Sequence, residues 1–234
     1  MKIMSFNTQH CEGYIEKKID FELMARAITE SSADVIGLNE MRGDGELEGY
    51  TDQTGALSAL TGIQNSYFAK AIDVGGVKAP YGNALLSKYR IVSAETILVP
   101  DPDPKNESFR NYETRCLLKA RLSCGITVMV IHFGLNPDEQ ENAVKTVMEN
   151  LESERCVLMG DFNVTPDSKI LDPIREKMVD TASVFDCEKF SCPSDTPRKK
   201  IDYIFVTPDA TVVSADIPET VASDHRPHTA EIRF

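Results

Sequence analysis

Short apolar runs that stop abruptly at polar side chains constrain this chain more than any other feature. MSFN ends at Asn7, VIGLNE at Asn39 and Glu40, VMVIH at His132, and VLMGDFN at Asp161 and Asn163. Asp202 opens a further run in KKIDYIFV, and Ser223-Asp224-His225 precedes the last. Short apolar runs with such boundaries read as buried strands. Side chains alternate faces along a strand, so Asp161 and Asn163 point the same way with Phe162 packed behind them, as long as the extended backbone persists. Taken singly, an Asn or Asp after a strand is a turn residue, and a lone histidine is a hydrogen-bonded structural one. Six such positions spread along one chain demand a joint explanation.

Amphipathic stretches fall between the runs. Residues 20–31 place Leu23, Met24, Ala27 and Ile28 on one helical face behind Asp20 as N-cap. A short helix is expected over 54–61. Asn136, Pro137 and Glu139 combine an N-cap, a proline at the first helical position and a capping-box acid. The helix they open sets Val144, Val147, Met148 and Leu151 on one face. Strands are expected at 2–6 and 34–38, near 64–70, 82–87 and 90–98, and in a hairpin of 113–122 with 126–133 around Ser123-Cys124-Gly125. CVLMG, IDYIFV, ATVVSA and TAEIRF supply the rest. Hairpins mixed with strand–helix units fit an α/β protein with mixed sheets. Residues 41–53, 71–80, 99–111 and 187–199 read as surface loops, where specificity usually resides.

Composition then narrows the partners. The 234 residues suit one or two domains. A formal net charge of −12 opposes non-specific binding to nucleic acid, whose affinity comes largely from Lys and Arg displacing counterions. The six cysteines form no CxxC and no zinc-type spacing. Cys116 and Cys156 lie in apolar runs as small hydrophobes, and Cys187 and Cys192 are expected reduced. MKIMSFN turns polar too soon for a signal peptide, and the run from Ile126 to Ile131 is too short to span a bilayer. The expected location is cytoplasmic.

The polar strand ends share a chemistry. Glu40, Asp161, Asp202 and Asp224 are hard oxygen donors suited to Mg²⁺ or Mn²⁺. Gathered in one cleft, two carboxylates about 4 Å apart repel by roughly 4 kcal/mol at an effective dielectric near 20, which a divalent cation or a protonated histidine offsets. Asn7 and Asn163 add neutral ligands or water-holders, and Arg115 with His132 can meet an anionic oxygen. Acids, amides, two histidines and an arginine equip a site to hydrolyse a phosphate ester.

The ordered series FN (6–7), DVIGLNE (34–40), YGNALLS (81–87), ETRCLLKARL (113–122), the histidine of VIHF (130–133), GDFN (160–163), KKIDYIF (199–205) and SDHRP (223–227) resembles the endonuclease/exonuclease/phosphatase superfamily. That group includes pancreatic-type deoxyribonucleases, abasic-site endonucleases, inositol polyphosphate 5-phosphatases and neutral sphingomyelinases. KFSCPSDTPRKKIDYIFV further resembles its small bacterial metal-dependent hydrolases. The resemblance covers nearly the whole chain and implies one domain over 1–234. Its fold would be a deoxyribonuclease-like four-layer α/β sandwich, two mixed sheets face to face with helices outside.

It also implies roles. Glu40 would be the principal Mg²⁺ or Mn²⁺ ligand, with Asn7 and Asp224 on the metal or its waters. His225, held by Asp202, would be the catalytic histidine. Asp161 and Asn163 would position the nucleophile and a phosphate oxygen, His132 would contact a non-bridging oxygen or the leaving group, and Arg115 and Tyr81 would contact phosphate. The resemblance leaves open whether Asp161 or His225 takes the proton. Two positions depart from the pattern: Asn39 replaces the usual Gln, and Ile131 the usual Thr. His10 and Cys11 are expected to be local structural residues, and His228 to face solvent or cap the last strand. The leading expectation is a phosphodiesterase acting on a small or lipid-like phosphoester. A nuclease is the alternative, disfavoured by charge, and a binding module that lost its chemistry is a third.

Overall fold

The computed structural model describes residues 1–109 and 111–234. In chain order the elements are β1 (Lys2–Asn7), α1 (Phe21–Ser31), β2 (Val35–Arg42), α2 (Gln53–Thr61), β3 (Asn65–Asp73), β4 (Pro80–Ser87), β5 (Ile91–Leu98), β6 (Cys116–Leu122), β7 (Thr127–His132), α3 (Pro137–Asn150), β8 (Cys156–Asp161), α4 (Asp172–Arg175), β9 (Val179–Asp180), β10 (Asp202–Val206), β11 (Thr211–Asp216) and β12 (His228–Arg233). Single turns of 3₁₀ helix link several of them. The strands form two six-stranded sheets, ordered β11-β12-β1-β2-β4-β3 and β5-β6-β7-β8-β10-β9. Each is mixed: β1/β2 and β7/β8 run parallel, and the other paired strands run antiparallel.

Alternation along the strands builds the layers. Ile3, Val35, Leu85, Val128, Val130, Met159 and Ile204 turn inward and fill the space between the sheets. Their neighbours turn outward. Met4, Phe6, Ile36 and Leu38 pack under Met24 and Ile28 of α1 and Leu57 of α2. Leu117, Met129, Ile131 and Phe205 pack under Val144 and Val147 of α3 and Ile174 of α4. Burying one such side chain contributes about 1.5–3 kcal/mol, so the alternation fixes which face of every central strand meets which layer. The expected four-layer sandwich is what the chain adopts.

Local signals act where the sequence places them. Asp20 caps α1 by accepting the Leu23 N–H at 2.8 Å, and Asn136 with Glu139 forms a capping box on α3. Gly37 lets the sheets close up on each other: a Cβ there would lie 2.6 Å from the Met159 sulfur. Gly160 has φ +149°, and a Cβ would meet the Ile131 carbonyl of the adjoining strand. None of the six cysteines is in a disulfide.

Several expected boundaries move. β2 continues past residue 38 to Arg42, and β3 continues through Asp73, so the stretches read as loops at 41–53 and 71–80 begin as strand. Pairing of both with Tyr81 sustains them despite their polar letters. Over 113–115 the expected strand is absent, and β6 starts at Cys116. α4 and β9 are too short to leave a periodic signal in the sequence.

Candidate active site

Both parallel pairs end in polar residues at matched register, Asn7 beside Asn39 and His132 beside Asp161. Asn39 joins the two ends. Its Nδ2 donates to the Ile131 carbonyl at 3.0 Å and to Asn83 Oδ1 at 2.8 Å, and its Oδ1 accepts the Asp161 backbone N–H at 2.9 Å. Asn83 continues across the sandwich to the Cys116 carbonyl at 2.9 Å. A residue of the first sheet therefore holds the backbone of the second where Asp161 begins. Between Leu38 and Met41 the β2/β4 register slips, and Glu40 sits in that bulge with φ +61°. The bulge re-aims its side chain, leaving it 23% exposed.

Asp161 is the focus of the site. Its Oδ2 accepts from Asn7 Nδ2 at 3.0 Å and lies 3.6 Å from His132 Nε2 and 3.7 Å from His225 Nε2. Its Oδ1 accepts the Asn163 N–H at 2.9 Å. Asn7 Nδ2 also reaches Glu40 Oε1 at 3.0 Å, and Asn7 Oδ1 accepts the Gln9 N–H. On the far side, His225 Nδ1 pairs with Asp202 Oδ2 at 2.8 Å. Asp202 opens β10 directly opposite Asp161. Phe162 points away, buried against Phe133, Tyr203 and Phe205, so its two flanking residues share the site face as expected.

The two histidines are driven to opposite states. Burial works against a charge on His225, but Asp202 and Asp161 outweigh it and raise its pKa well above that of free histidine. It is an imidazolium between two carboxylates. His132 is pushed well below the usual value by burial, then by Arg115 and His225, and is neutral. A guanidinium can only donate, so His132 Nδ1 accepts from Arg115 Nη1 at 3.1 Å. Nε2 lies 3.6 Å from Asp161 Oδ2 and 3.1 Å from the Asn163 amide nitrogen. Arg115 is also paired with Glu113. Burial, opposed by His225 and reinforced by Asp202, pushes Asp161 up to about 7. Burial also raises Asp224, with the Glu40 charge adding to it and His225 opposing. Tyr81 is kept un-ionised by burial and by the charges of Glu40 and Glu113.

The structure thus brings together Asn7, Glu40, Asp161, Asn163, His132, Asp202, His225 and Arg115 through direct contacts, with Asp224 and Tyr81 within their electrostatic reach. Asp161, Asp202 and His225 also place potential ligand atoms within 4.8 Å of one another, a different group from the expected Glu40, Asn7 and Asp224. His225 already bridges those two acids, so that cluster carries its own counter-charge. At the Glu40 end the charge of Glu40 reaches Asp224, where His225 opposes it. Asn7 turns N–H, not carbonyl oxygen, toward the acids, which suits holding Glu40 in place more than ligation. These hard donors fit Mg²⁺ or Mn²⁺.

Reading single letters missed Asn83 and Glu113 and noted Asn39 only as a departure from the family pattern. Asn39 and Asn83 form the bridge between the sheets, and Glu113 anchors Arg115. His228 corrects an expectation. It is wholly buried, not solvent-facing, with Nε2 3.1 Å from Thr181 Oγ1 and Nδ1 3.3 Å from the Asp202 carbonyl. Its place on β12, inside the sandwich under Phe185, is the reason. No helix among the described residues is long and apolar enough to cross a membrane.

The profile of the Endonuclease/Exonuclease/phosphatase family matches residues 4–225. Among solved structures, an endonuclease/exonuclease/phosphatase from Beutenbergia cavernae superimposes with a TM-score of 0.80 at 22% identity, over 100% of this chain and 71% of that one. One from Bacteroides vulgatus gives 0.76 at 19% identity over 100% and 98%. The mannosyl-6-phosphatase Bt3783 of Bacteroides thetaiotaomicron gives 0.79 at 15% identity over 100% of both chains. No curated protein matches the chain.

Proposed function

Because the chain belongs to the Endonuclease/Exonuclease/phosphatase family, we propose that it is a Mg²⁺-dependent phosphoesterase working as a single domain over 1–234. Its substrate is a small or lipid-like phosphoester, in the first instance a phosphodiester. One observation carries the reading: Glu40, Asn7, Asp161, His225 and Asp202 are linked by successive contacts of 3.0, 3.0, 3.7 and 2.8 Å, although they come from strand ends far apart in sequence.

Glu40 and Asp224 would hold the cation, with Asn7 orienting Glu40. When bound, the ion supplies positive charge to the phosphate oxygens. The remaining roles fall to the chain itself. Asp161, raised to about 7 and ringed by donors, suits the proton acceptor that orients and deprotonates the attacking water near neutral pH. His225, kept cationic by Asp202, faces the charge that develops on phosphorus-bound oxygen. Neutral His132 lies beside Asn163 and Asp161, and Arg115, held by Glu113, would contact phosphate along with Tyr81. These groups are ordered before substrate arrives, so little reorganisation is needed during reaction.

A phosphomonoester is the second reading, since Bt3783, named as a phosphatase, covers the full chain. Nuclease activity is less favoured. The exposed pair Arg198 and Lys199 is the main basic run in a chain of net charge −12. Bis(p-nitrophenyl) phosphate, p-nitrophenyl phosphate and plasmid DNA, each assayed with Mg²⁺ or Mn²⁺ and with EDTA, separate the three. The expected result is metal-dependent release of nitrophenol, greatest from the diester. Turnover that survives EDTA, or none from any substrate, overturns the proposal.

A further inference from the structure

The turn after β1 is strained. Gln9, His10 and Cys11 take φ of 46°, 48° and 63°, a left-handed region that side chains other than glycine enter at a cost and that recurs at functional sites. Gln53, wholly buried, clamps the turn to β2. Its Nε2 donates to the His10 carbonyl at 2.7 Å, and its Oε1 accepts the Arg42 N–H at 2.8 Å. The clamp sets His10 beside the site, its Nδ1 4.0 Å from Glu40 Oε2. It also fixes Arg42, two residues past Glu40 and opposite Tyr81 in the β2/β4 register.

Arg42 differs from the cations that pair with acids. Arg115 is tied to Glu113 and His132, Lys200 to Asp180, and Lys189 to Asp216. Among the described residues no acid lies within 4.0 Å of Arg42, although acids outnumber bases 37 to 25 in this chain. Its guanidinium stacks 4.7 Å above the ring of Tyr50, which is itself buried. Its charge reaches His10. Its Nε is buried and has no hydrogen-bond partner, and neither has Gln9 Oε1 nearby in the turn. A guanidinium held over an aromatic ring, with its Nε unspent and no carboxylate to neutralise it, is preorganised for a phosphate oxygen.

Resting on the phosphoesterase reading above, we propose that Arg42, backed by Tyr50 and flanked by His10, receives a second phosphate group of the substrate. The enzyme then selects phosphoesters that carry another phosphate close to the scissile one. Glu40 and Asp224 serve the reacting phosphate, and Arg42 serves its neighbour.

A matched pair of esters tests this: thymidine 5′-(p-nitrophenyl phosphate) and the same compound with a 3′-phosphate. Wild type is expected to favour the doubly phosphorylated ester in kcat/KM by about tenfold. Arg42→Gln should bring that ratio near one, and Arg42→Lys should keep part of it. An unchanged ratio in Arg42→Gln, or no preference in wild type, overturns the subsite. Calorimetry with thymidine 3′,5′-bisphosphate and thymidine 5′-monophosphate in MgCl₂ reads the same contrast without turnover. A bisphosphate advantage that vanishes in Arg42→Gln upholds the proposal, and equal affinities in wild type reject it. Protein that keeps this binding contrast but cleaves neither ester would refute the phosphoesterase reading and leave the subsite standing.

Discussion

At the end of the first sheet's parallel pair, β2 bulges and turns Glu40 toward solvent; at the end of the second sheet's, β8 keeps Asp161 and β7 keeps His132 buried. The side-chain exposures are 23% against 2% and 5%. Both pairs are strand–helix–strand crossovers, β1-α1-β2 and β7-α3-β8, and both end on in-register polar residues. The backbone plan is shared, and a local slip in register separates the outcomes. A partly exposed acid can exchange its water for a cation at low cost. Buried groups instead have their protonation set by neighbours, which is how His132 and His225 reach opposite charge states within one site.

The largest effect expected from this division is on rate. His225→Ala should lower kcat by about 10³-fold at every magnesium concentration. Glu40→Gln should lose activity that returns in part as MgCl₂ rises by about two decades, since mass action compensates weaker binding. Magnesium titrations of both variants on bis(p-nitrophenyl) phosphate check this, and equal rescue would erase the distinction between the two ends.

The next effect sharpens it through stability. His228, buried beside Asp202, is lowered to about 4, by burial and then Lys200, from an ordinary 6.5. The unfolded chain therefore binds a proton that the native one refuses between those values. Stability is fully present above pH 6.5 and falls as pH drops toward 4, by an amount on the order of 3 kcal/mol. Urea unfolding of His228→Asn across that window should show a flatter acid slope than wild type. An identical slope would mean another group governs acid stability at this end.

Two smaller effects probe the seam between the sheets. Asn39→Ala leaves the Asp161 N–H and Ile131 carbonyl without their partner, and should cost about 2 kcal/mol in denaturant unfolding. Gly37→Ala drives a Cβ against Met159 and Val130. Because the methionine is flexible, about 1 kcal/mol is expected, shrinking when Met159→Ala is added. Full cost in the double variant would place the strain elsewhere.

Much of this fold could be read from letters because its signals are local. Alternation named the central strands, Asp20 and the Asn136–Glu139 box named two helix starts, and GDFN with Phe162 fixed which residues share the site face. What escaped was set by pairing or by distance. Arg42 and Ile72 continue strands because Tyr81 lies opposite both, and nothing in residues 41–53 or 71–80 encodes that. The polar letters of SDH and GDFN could be singled out as site candidates. The meeting of Asn39 with Asp161, 122 residues away, and the burial of His228 beneath Phe185 follow only from how the sheets stack. Letters likewise named both histidines but not their charges, which depend on whether Arg115 or Asp202 is the neighbour.

The Asn39 bridge couples mechanics to chemistry. A sandwich's softest distortion is shear, one sheet gliding over the other, and here a side chain of one sheet grips the backbone of the other at Asp161. Gliding by a fraction of an ångström would drag Asp161 relative to Glu40. Substitutions that lubricate the interior far from the cleft would then slow turnover before they lower the melting temperature, making catalytic rate the finer gauge of how tightly the halves are clamped.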